Sequence, residues 1–380
     1  MTTVLFFNLY AEMGGAENAL LHLLGGLDRT RFRPFVAVAS DGPLVRRLAE
    51  ADVACRVMPF PARSLWHVLV PATFARYLSA ARALSLLVSE ERVDIVHTGD
   101  VLCLLIARLA GLRTPLVYQM NYAGGSARRG LLRLLAPGLV TRVLAFSEAQ
   151  KRALERAAPE LGRRCDVVPV GIPTPAPSLG REALRRELGL AADVPFAAMF
   201  GRFDPIKGHA TFLEAAARVH ARRPEARFAI VGGALNADVL PHVSRVRARV
   251  VGLRAELGLT DVVRIAGFVP DPAAWMAACD VVVCPSVNEP FGLVVVEAMR
   301  LGVCVLVSDS GGPAEIVEHE KGGLQFRTGD PEALAQGLLR LLDDPGLRAR
   351  LAESGRQRAT MLYDRASFSR SVESLYERLA

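Results

Sequence analysis

Two glutamates stand among small and apolar residues in the segment 286–299, SVNEPFGLVVVEAM. Glu289 precedes a proline, which disfavours helix in the residue before it, so we predict Glu289 in a loop. Glu297 then falls about two turns into a helix predicted over 292–301. A buried carboxylate needs hydrogen-bond donors, and sugar hydroxyls are donors that its two oxygens accept. The segment therefore predicts a polyol site, and the alternative is a helix-capping Glu289 with a solvent-facing Glu297.

A second pair of polar side chains follows an earlier apolar run, in GRFDPIKGH. Arg202 and Lys207 lie five residues apart across a turn. The chain has 43 arginines and only three lysines, so a lysine next to a strand end indicates a need for a compact ammonium. A guanidinium fork and an ammonium together suit a diphosphate. A solvated surface pair is the alternative.

Glycines precede predicted helices at points where backbone N–H groups can approach an anion. Gly14 and Gly15 follow the first strand, and Phe291, Gly292 and Leu293 open the helix that carries Glu297. Neither stretch is GxGxxG or GxxxxGK[ST], so dinucleotide binding and Walker-type ATP hydrolysis lose support. An ordinary glycine turn is the alternative at 14–15.

The elements that position these residues are short apolar runs alternating with helical stretches, which is typical of parallel sheets covered on both faces. The predicted strands are 3–8, 35–40, 54–59, 93–98, 115–120, 142–147 and 165–170 in the first half, and 195–201, 227–233, 262–267, 280–285 and 303–308 in the second. The Pro-rich stretch 171–180 is predicted to be a linker. We therefore expect an α/β chain of two doubly wound domains, 1–172 and 173–362, with a final helix over about 363–380 packing back on the first.

The net charge of +7 lies wholly in the first half: residues 1–172 hold 21 Lys and Arg against 14 Asp and Glu. This excess indicates an anionic partner. Without a recognition motif or basic residues interleaved with aromatics, nucleic acid is not expected. The anionic partners that remain are a phosphorylated acceptor and an anionic membrane face, which the chain would contact peripherally. Without a basic region before the first apolar run, and with scattered cysteines, the chain is expected to be cytoplasmic.

Other polar groups of the first half have more than one interpretation. His97 ends a strand with Asp100 close behind, and it can act as an acid or base, bind a sugar hydroxyl, or be structural. Arg129 lies in the stretch 126–137, which is either a membrane-surface helix or, as we favour, a helix that packs on the core. The remaining histidines show no metal-ligand spacing, so no metal is expected.

In order along the chain, five motifs resemble those of the family 4 retaining glycosyltransferases. They are GGAE at 14–17, GRxxxxKG at 201–208, GFV at 267–269, EPFGLxxxEAM from Glu289, and GGPAEIV at 311–317. The resemblance implies a GT-B fold, in which two Rossmann-like domains face a central cleft. It implies that the C-terminal domain binds a nucleotide-sugar donor and the N-terminal domain an acceptor, without a metal or other cofactor.

The resemblance also implies roles for single residues. Arg202 and Lys207 hold the diphosphate, Glu289 the sugar hydroxyls and Glu297 the ribose. Backbone groups around Gly15, Gly201, Gly267 and the segment 291–293 complete the donor site. The family's H-x-H after the fourth strand reads His97-Thr98-Gly99 here, so Asp100 or Asn121 is left to fill the place of the second histidine.

The resulting expectation is a retaining, metal-independent hexosyltransferase. The donor is a nucleotide diphosphate sugar, a UDP-sugar before a GDP-sugar, and the acceptor is a glycan, a glycolipid or a small natural product. The alternatives are a nucleotide-sugar epimerase of the same fold and a non-catalytic nucleotide-sugar-binding subunit.

Overall fold

The computed structural model describes residues 1–58, 60, 71–121, 126–233 and 241–380. They form two compact units, Met1–Gly171 with Arg365–Ala380, and Ile172–Asp364. Part of the strand predicted over 54–59 lies outside the described residues, as do the side chains at 126–129. No helix in the described part of the chain is long and apolar enough to cross a membrane.

Unit 1 is built on a seven-stranded sheet in the order β3-β2-β1-β4-β5-β6-β7, with parallel pairing throughout. Its strands are β1 Thr2–Asn8, β2 Phe32–Val38, β3 Ala54–Val57, β4 Ile95–Thr98, β5 Leu116–Gln119, β6 Arg142–Ala145 and β7 Cys165–Val167. The continuous apolar run of β1 is buried from Thr3 to Phe7, as expected for a strand covered on both faces.

Helices cover both faces of this sheet. They are α1 Gly15–Leu24, α2 Pro43–Glu50, α3 Pro71–Glu90, α4 Val101–Leu109, α5 Ser126–Leu135, α6 Glu148–Ala157 and α7 Pro159–Gly162. Leu131 and Leu132 of α5 pack against the hydrophobic core, which supports the favoured interpretation of the stretch 126–137.

Unit 2 has a six-stranded parallel sheet in the order β10-β9-β8-β11-β12-β13. Its strands are β8 Phe196–Phe200, β9 Arg227–Val231, β10 Val263–Gly267, β11 Val281–Cys284, β12 Cys304–Ser308 and β13 Leu324–Phe326. Its helices are α8 Arg181–Glu187, α9 His209–Arg222, α10 Pro241–Glu256, α11 Pro272–Ala278, α12 Leu293–Arg300, α13 Gly311–Ile316, α14 Pro331–Asp343 and α15 Pro345–Leu362. The strand β13 was not predicted, because three residues give too short a pattern to recognise.

The Pro-rich stretch 171–180 is attached to unit 2. Ile172 N donates to Tyr363 O at 2.9 Å, and Ser178 donates through N and Oγ to Asp271 Oδ2 at 2.6 and 2.5 Å. These hydrogen bonds hold the stretch that was predicted to be a linker against other residues of unit 2.

The last helix of the chain, α16 Arg365–Glu377, belongs to unit 1. Its buried Glu373 accepts a hydrogen bond from Asp28 N at 2.8 Å, and Ser369 Oγ donates to Leu23 O at 3.2 Å. These contacts fix the helix against the segment that contains α1.

Candidate functional site

The strand order of unit 2 reverses between β8 and β11, and the carboxyl edge at such a reversal is where these sheets bind ligands. The loop after β8 carries Lys207, and the loop after β11 carries Glu289. Lys207 Nζ and Glu289 Oε2 form an ion pair at 2.6 Å. Both side chains are mostly buried, 19% and 14% exposed. The pair is therefore partly shielded from water at the position where such sheets bind ligands.

The environment of Lys207 keeps its ammonium charged. Burial lowers the pKa of Lys207, but the charge and hydrogen bond of Glu289 outweigh that effect, and the pKa lies above its ordinary value. The loop after β8 is thus a source of fixed positive charge at neutral pH.

Arg202 is held close to the same loop by Asp204. Arg202 Nη2 lies 3.2 Å from Asp204 Oδ2, and Asp204 Oδ1 accepts from Ile206 N at 3.2 Å, capping the 3-10 helix Pro205–Lys207. One carboxylate therefore orients the guanidinium and the turn that presents Lys207. The Lys207 stem passes over Gly201, where a Cβ would lie 3.4 Å from Lys207 Cδ.

Three loops are joined into one platform by hydrogen bonds to backbone carbonyl oxygens. Val287 N donates to Ile206 O at 2.7 Å, Ser308 Oγ to Ser286 O at 2.5 Å, and Gly312 N to Glu289 O at 2.8 Å. The loops after β8, β11 and β12 are thereby fixed relative to one another, which fixes the Lys207–Glu289 geometry.

Gly208 allows the closest approach within this platform. Its φ is +74°, and a Cβ there would lie 2.8 Å from the carbonyl carbon of Pro285 and closer still to the oxygen. Only glycine combines this backbone conformation with this contact.

Gly208→Ala is expected to lower the free energy of unfolding by about 3 kcal/mol, because it adds a backbone clash to the ~1–2 kcal/mol cost of the left-handed conformation. Gly329→Ala is the matched control, since Gly329 has φ +76° and nothing within 4 Å of a built Cβ. Urea unfolding of both variants measures the difference. Equal losses would show that the approach of the two loops contributes nothing to stability.

Helix α12 begins at Leu293, shortly after Glu289 in the chain, with Gly292 at its N-cap at φ +104°. The N-cap glycine has no side chain that could cap this end. The buried Phe291 ring packs edge-on against Tyr363, with 5.7 Å between the ring centroids, and this contact holds the residue before the N-cap in place. The first-turn N–H groups of α12 therefore lie at the end of the loop that carries Glu289.

Glu297 lies in the second turn of α12 and is partly buried. Within the described residues, no hydrogen bond or ion pair is recorded for its carboxylate, and burial raises its pKa to about 7. A carboxylate that lacks a protein partner and is shielded from water can accept hydrogen bonds from the donor groups of a ligand. This finding argues against the alternative of a solvent-facing Glu297.

The carboxyl ends of the outer strands are joined by glycines. Gly232 N donates to Gly267 O at 2.7 Å, and a Cβ on Gly232 would lie 2.7 Å from the carbonyl carbon of Gly201. Gly267 itself has φ +71°. The edge next to Arg202 is therefore built of backbone that a ligand can approach closely.

In unit 1, the structure places His97 inside the protein. His97 Nδ1 lies 2.5 Å from Tyr376 Oη of α16, Phe6 stacks on the ring at 5.3 Å, and the residue is 3% exposed. Burial lowers its pKa to about 4, so the imidazole is neutral at physiological pH. These contacts favour the structural interpretation of His97 over a catalytic one.

Asp100, Gly14 and Arg129, which were also predicted as site residues, lie on three different elements of unit 1. The buried Asp100 caps α4, accepting from Leu102 N at 2.7 Å, and Gly14 is the N-cap of α1, which begins at Gly15. A Cβ on Gly14 would lie 3.0 Å from Glu17 Oε2, so an acidic side chain already lies near this helix start. Arg129 belongs to α5, but its side chain lies outside the described residues.

Ser308 and Ser310 help to build the platform and were not singled out from the sequence, whereas Gly312 belongs to the motif at 311–317. Ser308 ties the loop after β11 through Ser286, Ser310 Oγ accepts from Asn288 N at 3.3 Å, and Gly312 packs against the Phe291 backbone. The only signal for them was the glycine pair 311–312 after a strand, because their partners lie in loops distant in sequence.

Family models match both parts of the chain. The model described as Glycosyl transferases group 1 matches residues 180–358, and the model described as Glycosyltransferase Family 4 matches residues 13–175. A D-inositol 3-phosphate glycosyltransferase of Thermobispora bispora is 30% identical over 362 residues, covering 90% of this chain and 84% of that relative. Another of the same name, from Thermomonospora curvata, is 32% identical over 316 residues, covering 74% and 70%.

Solved structures share the fold along the chain. Anabaena Alr3699/HepE in complex with UDP and glucose has a TM-score of 0.85 at 24% identity, covering 99% of this chain and all of that one. WaaG, a glycosyltransferase involved in lipopolysaccharide biosynthesis, has a TM-score of 0.74 at 18% identity, covering 99% of both. At these identities the likeness concerns the fold alone, and it confirms the predicted GT-B class.

Proposed function

Because the chain belongs to the family 4, group 1 glycosyltransferases, we propose that it moves a hexose-type sugar from a nucleotide diphosphate donor, preferably a UDP-sugar, to a hydroxyl of an acceptor. Unit 2 binds the donor and the basic unit 1 binds the acceptor. The reaction retains the anomeric configuration and needs no metal.

The Lys207–Glu289 pair at the carboxyl edge of β8 and β11 is the observation that carries this proposal. A donor diphosphate brings two negative charges, which the Lys207 ammonium and the Arg202 guanidinium neutralise without a divalent cation. Glu289, tethered to Lys207, is then directed to the hydroxyls of the transferred sugar. The first-turn N–H groups of α12 add donors for phosphate or sugar oxygens.

Glu297 supports the nucleoside end of the same donor. Its carboxylate has no recorded partner among the described residues, and its pKa is raised to about 7. Two adjacent ribose hydroxyls supply two donors to one carboxylate, which satisfies both oxygens and favours the charged form.

The chemical step breaks the bond between the anomeric carbon and the diphosphate oxygen and forms a bond from that carbon to the acceptor oxygen on the same face. The acceptor proton passes to an oxygen of the departing nucleoside diphosphate. Lys207 and Arg202 stabilise the negative charge that grows on this leaving group, so their contribution is greatest in the transition state.

The acceptor is proposed to carry negative charge, since unit 1 holds the whole basic excess of the chain. The name shared by the relatives makes D-inositol 3-phosphate the first acceptor to test. A phosphorylated glycan, glycolipid or natural product satisfies the same charge argument. Peripheral contact with a membrane remains a prediction from the sequence.

UDP is expected to raise the melting temperature of unit 2 by about 5–10 °C at 100 times its dissociation constant, from a stabilisation of ~2.7 kcal/mol. ADP and GDP serve as matched controls, because they keep the diphosphate and change the base. Equal shifts with all three would show that the base is not selected. No shift with any of them would remove the basis for donor binding.

Transfer itself is tested by incubating the protein with UDP-glucose and D-inositol 3-phosphate, with and without EDTA. We expect a glycoside of retained configuration by NMR and equal rates in the two conditions. Epimerised nucleotide sugar without acceptor would assign the epimerase activity instead. Binding of UDP with neither transfer nor slow donor hydrolysis, across the acceptor classes above, would identify a binding subunit.

A further inference from the structure

Asn121 lies directly after β5, and its side-chain amide is held from two sides. Gln119 Nε2 donates to Asn121 Oδ1 at 2.6 Å, and Asn121 Nδ2 donates to Gly99 O at 3.5 Å. Gln119 is buried, whereas Asn121 is partly exposed. The amide is therefore fixed in orientation and still reachable from solvent.

Gly99 is matched to this amide. A Cβ at position 99 would lie 2.8 Å from Asn121 Cγ and closer to Nδ2, so the amide occupies the place of a side chain there. The φ of Gly99 lies outside the left-handed region, so its backbone does not require glycine. The structural reason for glycine at position 99 is the position of the Asn121 side chain.

A buried polar group stands behind Gln119. Burial raises the pKa of Tyr376 well above its ordinary value and lowers the pKa of His97 to about 4, so both side chains are neutral at physiological pH and share the hydrogen bond between Tyr376 Oη and His97 Nδ1. His97 Nε2 is buried and has no hydrogen-bond partner among the described residues. The Gln119 side chain raises the pKa of the His97 ring, against the larger lowering by burial. Of the four residues Tyr376, His97, Gln119 and Asn121, only Asn121 is not buried.

The contacts of Asn121 leave part of its hydrogen-bonding capacity unused. A primary amide has two N–H donors and two acceptor lone pairs, and the described residues engage one of each. The free N–H and lone pair match a hydroxyl group, which also both donates and accepts. They lie beyond the ends of β4 and β5, next to the β1–β4 position where the strand order of this sheet reverses and ligands bind.

We propose that Asn121, oriented by Gln119 and accommodated by Gly99, binds a hydroxyl group of one of the two substrates and selects for it. The proposal rests on the proposed function, because it takes the ligand to be a sugar or polyol. The hydroxyl belongs either to the donor sugar or to the acceptor, and the same chemistry serves both.

The test compares Asn121→Ala, which removes the amide, with Gly99→Ala, which displaces it while leaving Asn121 in place. Each variant is expected to lower kcat/KM about 10-fold to 100-fold, as for one lost hydrogen bond to substrate. The double variant is expected to have the same kcat/KM as the less active single variant, since both changes abolish the same interaction. Gly130→Ala is the control, because nothing lies within 4 Å of a Cβ there, and wild-type kinetics are expected.

Two readouts identify the substrate concerned. A defect that appears in slow donor hydrolysis without acceptor assigns the hydroxyl to the donor sugar, and a defect confined to the KM of the acceptor assigns it to the acceptor. Wild-type constants for Asn121→Ala, or losses that multiply in the double variant, would overturn the inference. If Gly99→Ala fails to fold, Asn121→Ala alone decides. Absence of transfer by the wild-type protein would instead be a failure of the proposed function.

Discussion

Lys207→Ala is expected to reduce kcat/KM for the nucleotide sugar about 10²-fold to 10³-fold, equivalent to ~3–4 kcal/mol of transition-state stabilisation. The variant removes a cation from the leaving diphosphate and also leaves Glu289, 14% exposed, without its partner at 2.6 Å. The larger part of the loss is expected in kcat, because the leaving-group charge develops during the reaction. Steady-state kinetics at saturating acceptor measure it.

The chain offers a matched control in Lys321, which also forms an ion pair, with Glu318, but is 71% exposed. Lys321→Ala is expected to leave the kinetics unchanged, because exposed pairs contribute little. Glu289→Gln combined with Lys207→Ala is expected to cost less than the two single losses together, since the residues act as one unit. Near wild-type turnover in Lys207→Ala would show that the ion pair only stabilises the fold, and full additivity would show that the two residues act independently.

Glu297→Gln is expected to make the free protein more stable at pH 8 while weakening UDP binding about 10-fold to 100-fold. Burial raises the pKa of Glu297 from 4.5 to about 7, so the charged carboxylate destabilises the folded state by up to about 3 kcal/mol at ~1.4 kcal/mol per pH unit. Glutamine removes that cost and also removes the charged acceptor of the ribose hydroxyls, with each such bond contributing ~1.5–3 kcal/mol.

The pH dependence follows from the sign of this shift. Between pH 4.5 and about 7 the folded protein binds more protons at Glu297 than the unfolded chain, so its contribution to stability falls as pH rises and is constant above that range. The stability gain of Glu297→Gln should therefore be absent at pH 4, develop across this window and reach its maximum above pH 7. Urea unfolding at several pH values measures it, with the exposed Glu256→Gln as control.

Ligand binding provides an independent readout of the same group. Hydroxyl donors favour the carboxylate, so UDP binding near pH 7 should release a proton from Glu297 that the Gln variant cannot release. Calorimetry of both proteins in two buffers of different ionisation enthalpy measures that difference. Unchanged UDP affinity, together with equal proton release, would place the ribose elsewhere.

Much of the architecture follows from local pattern. The buried runs of β1, β8 and β11 are continuous and apolar, which indicates strands of a parallel sheet covered on both faces, and the Pro-Phe-Gly turn after Glu289 indicates where α12 begins. Residues at strand ends are predicted to gather at one edge, since parallel strands share it. Arg202, Lys207 and Glu289 could therefore be selected from the sequence.

Pairings between distant residues could not be predicted in this way. Loops separated by about 80 residues meet at Gly208 and Pro285, and the Tyr376 hydroxyl reaches His97 across 279 positions, because strand order and helix docking decide which ends are neighbours. The fold class follows from the periodicity of the sequence, and the choice of Arg202, Lys207 and Glu289 as candidate site residues follows from their places next to strand ends. Burial and side-chain contact depend on what packs from elsewhere in the chain, so only the folded structure gives the enclosure of His97, the lack of a partner for the Glu297 carboxylate among the described residues, and the position of Asn121 over Gly99.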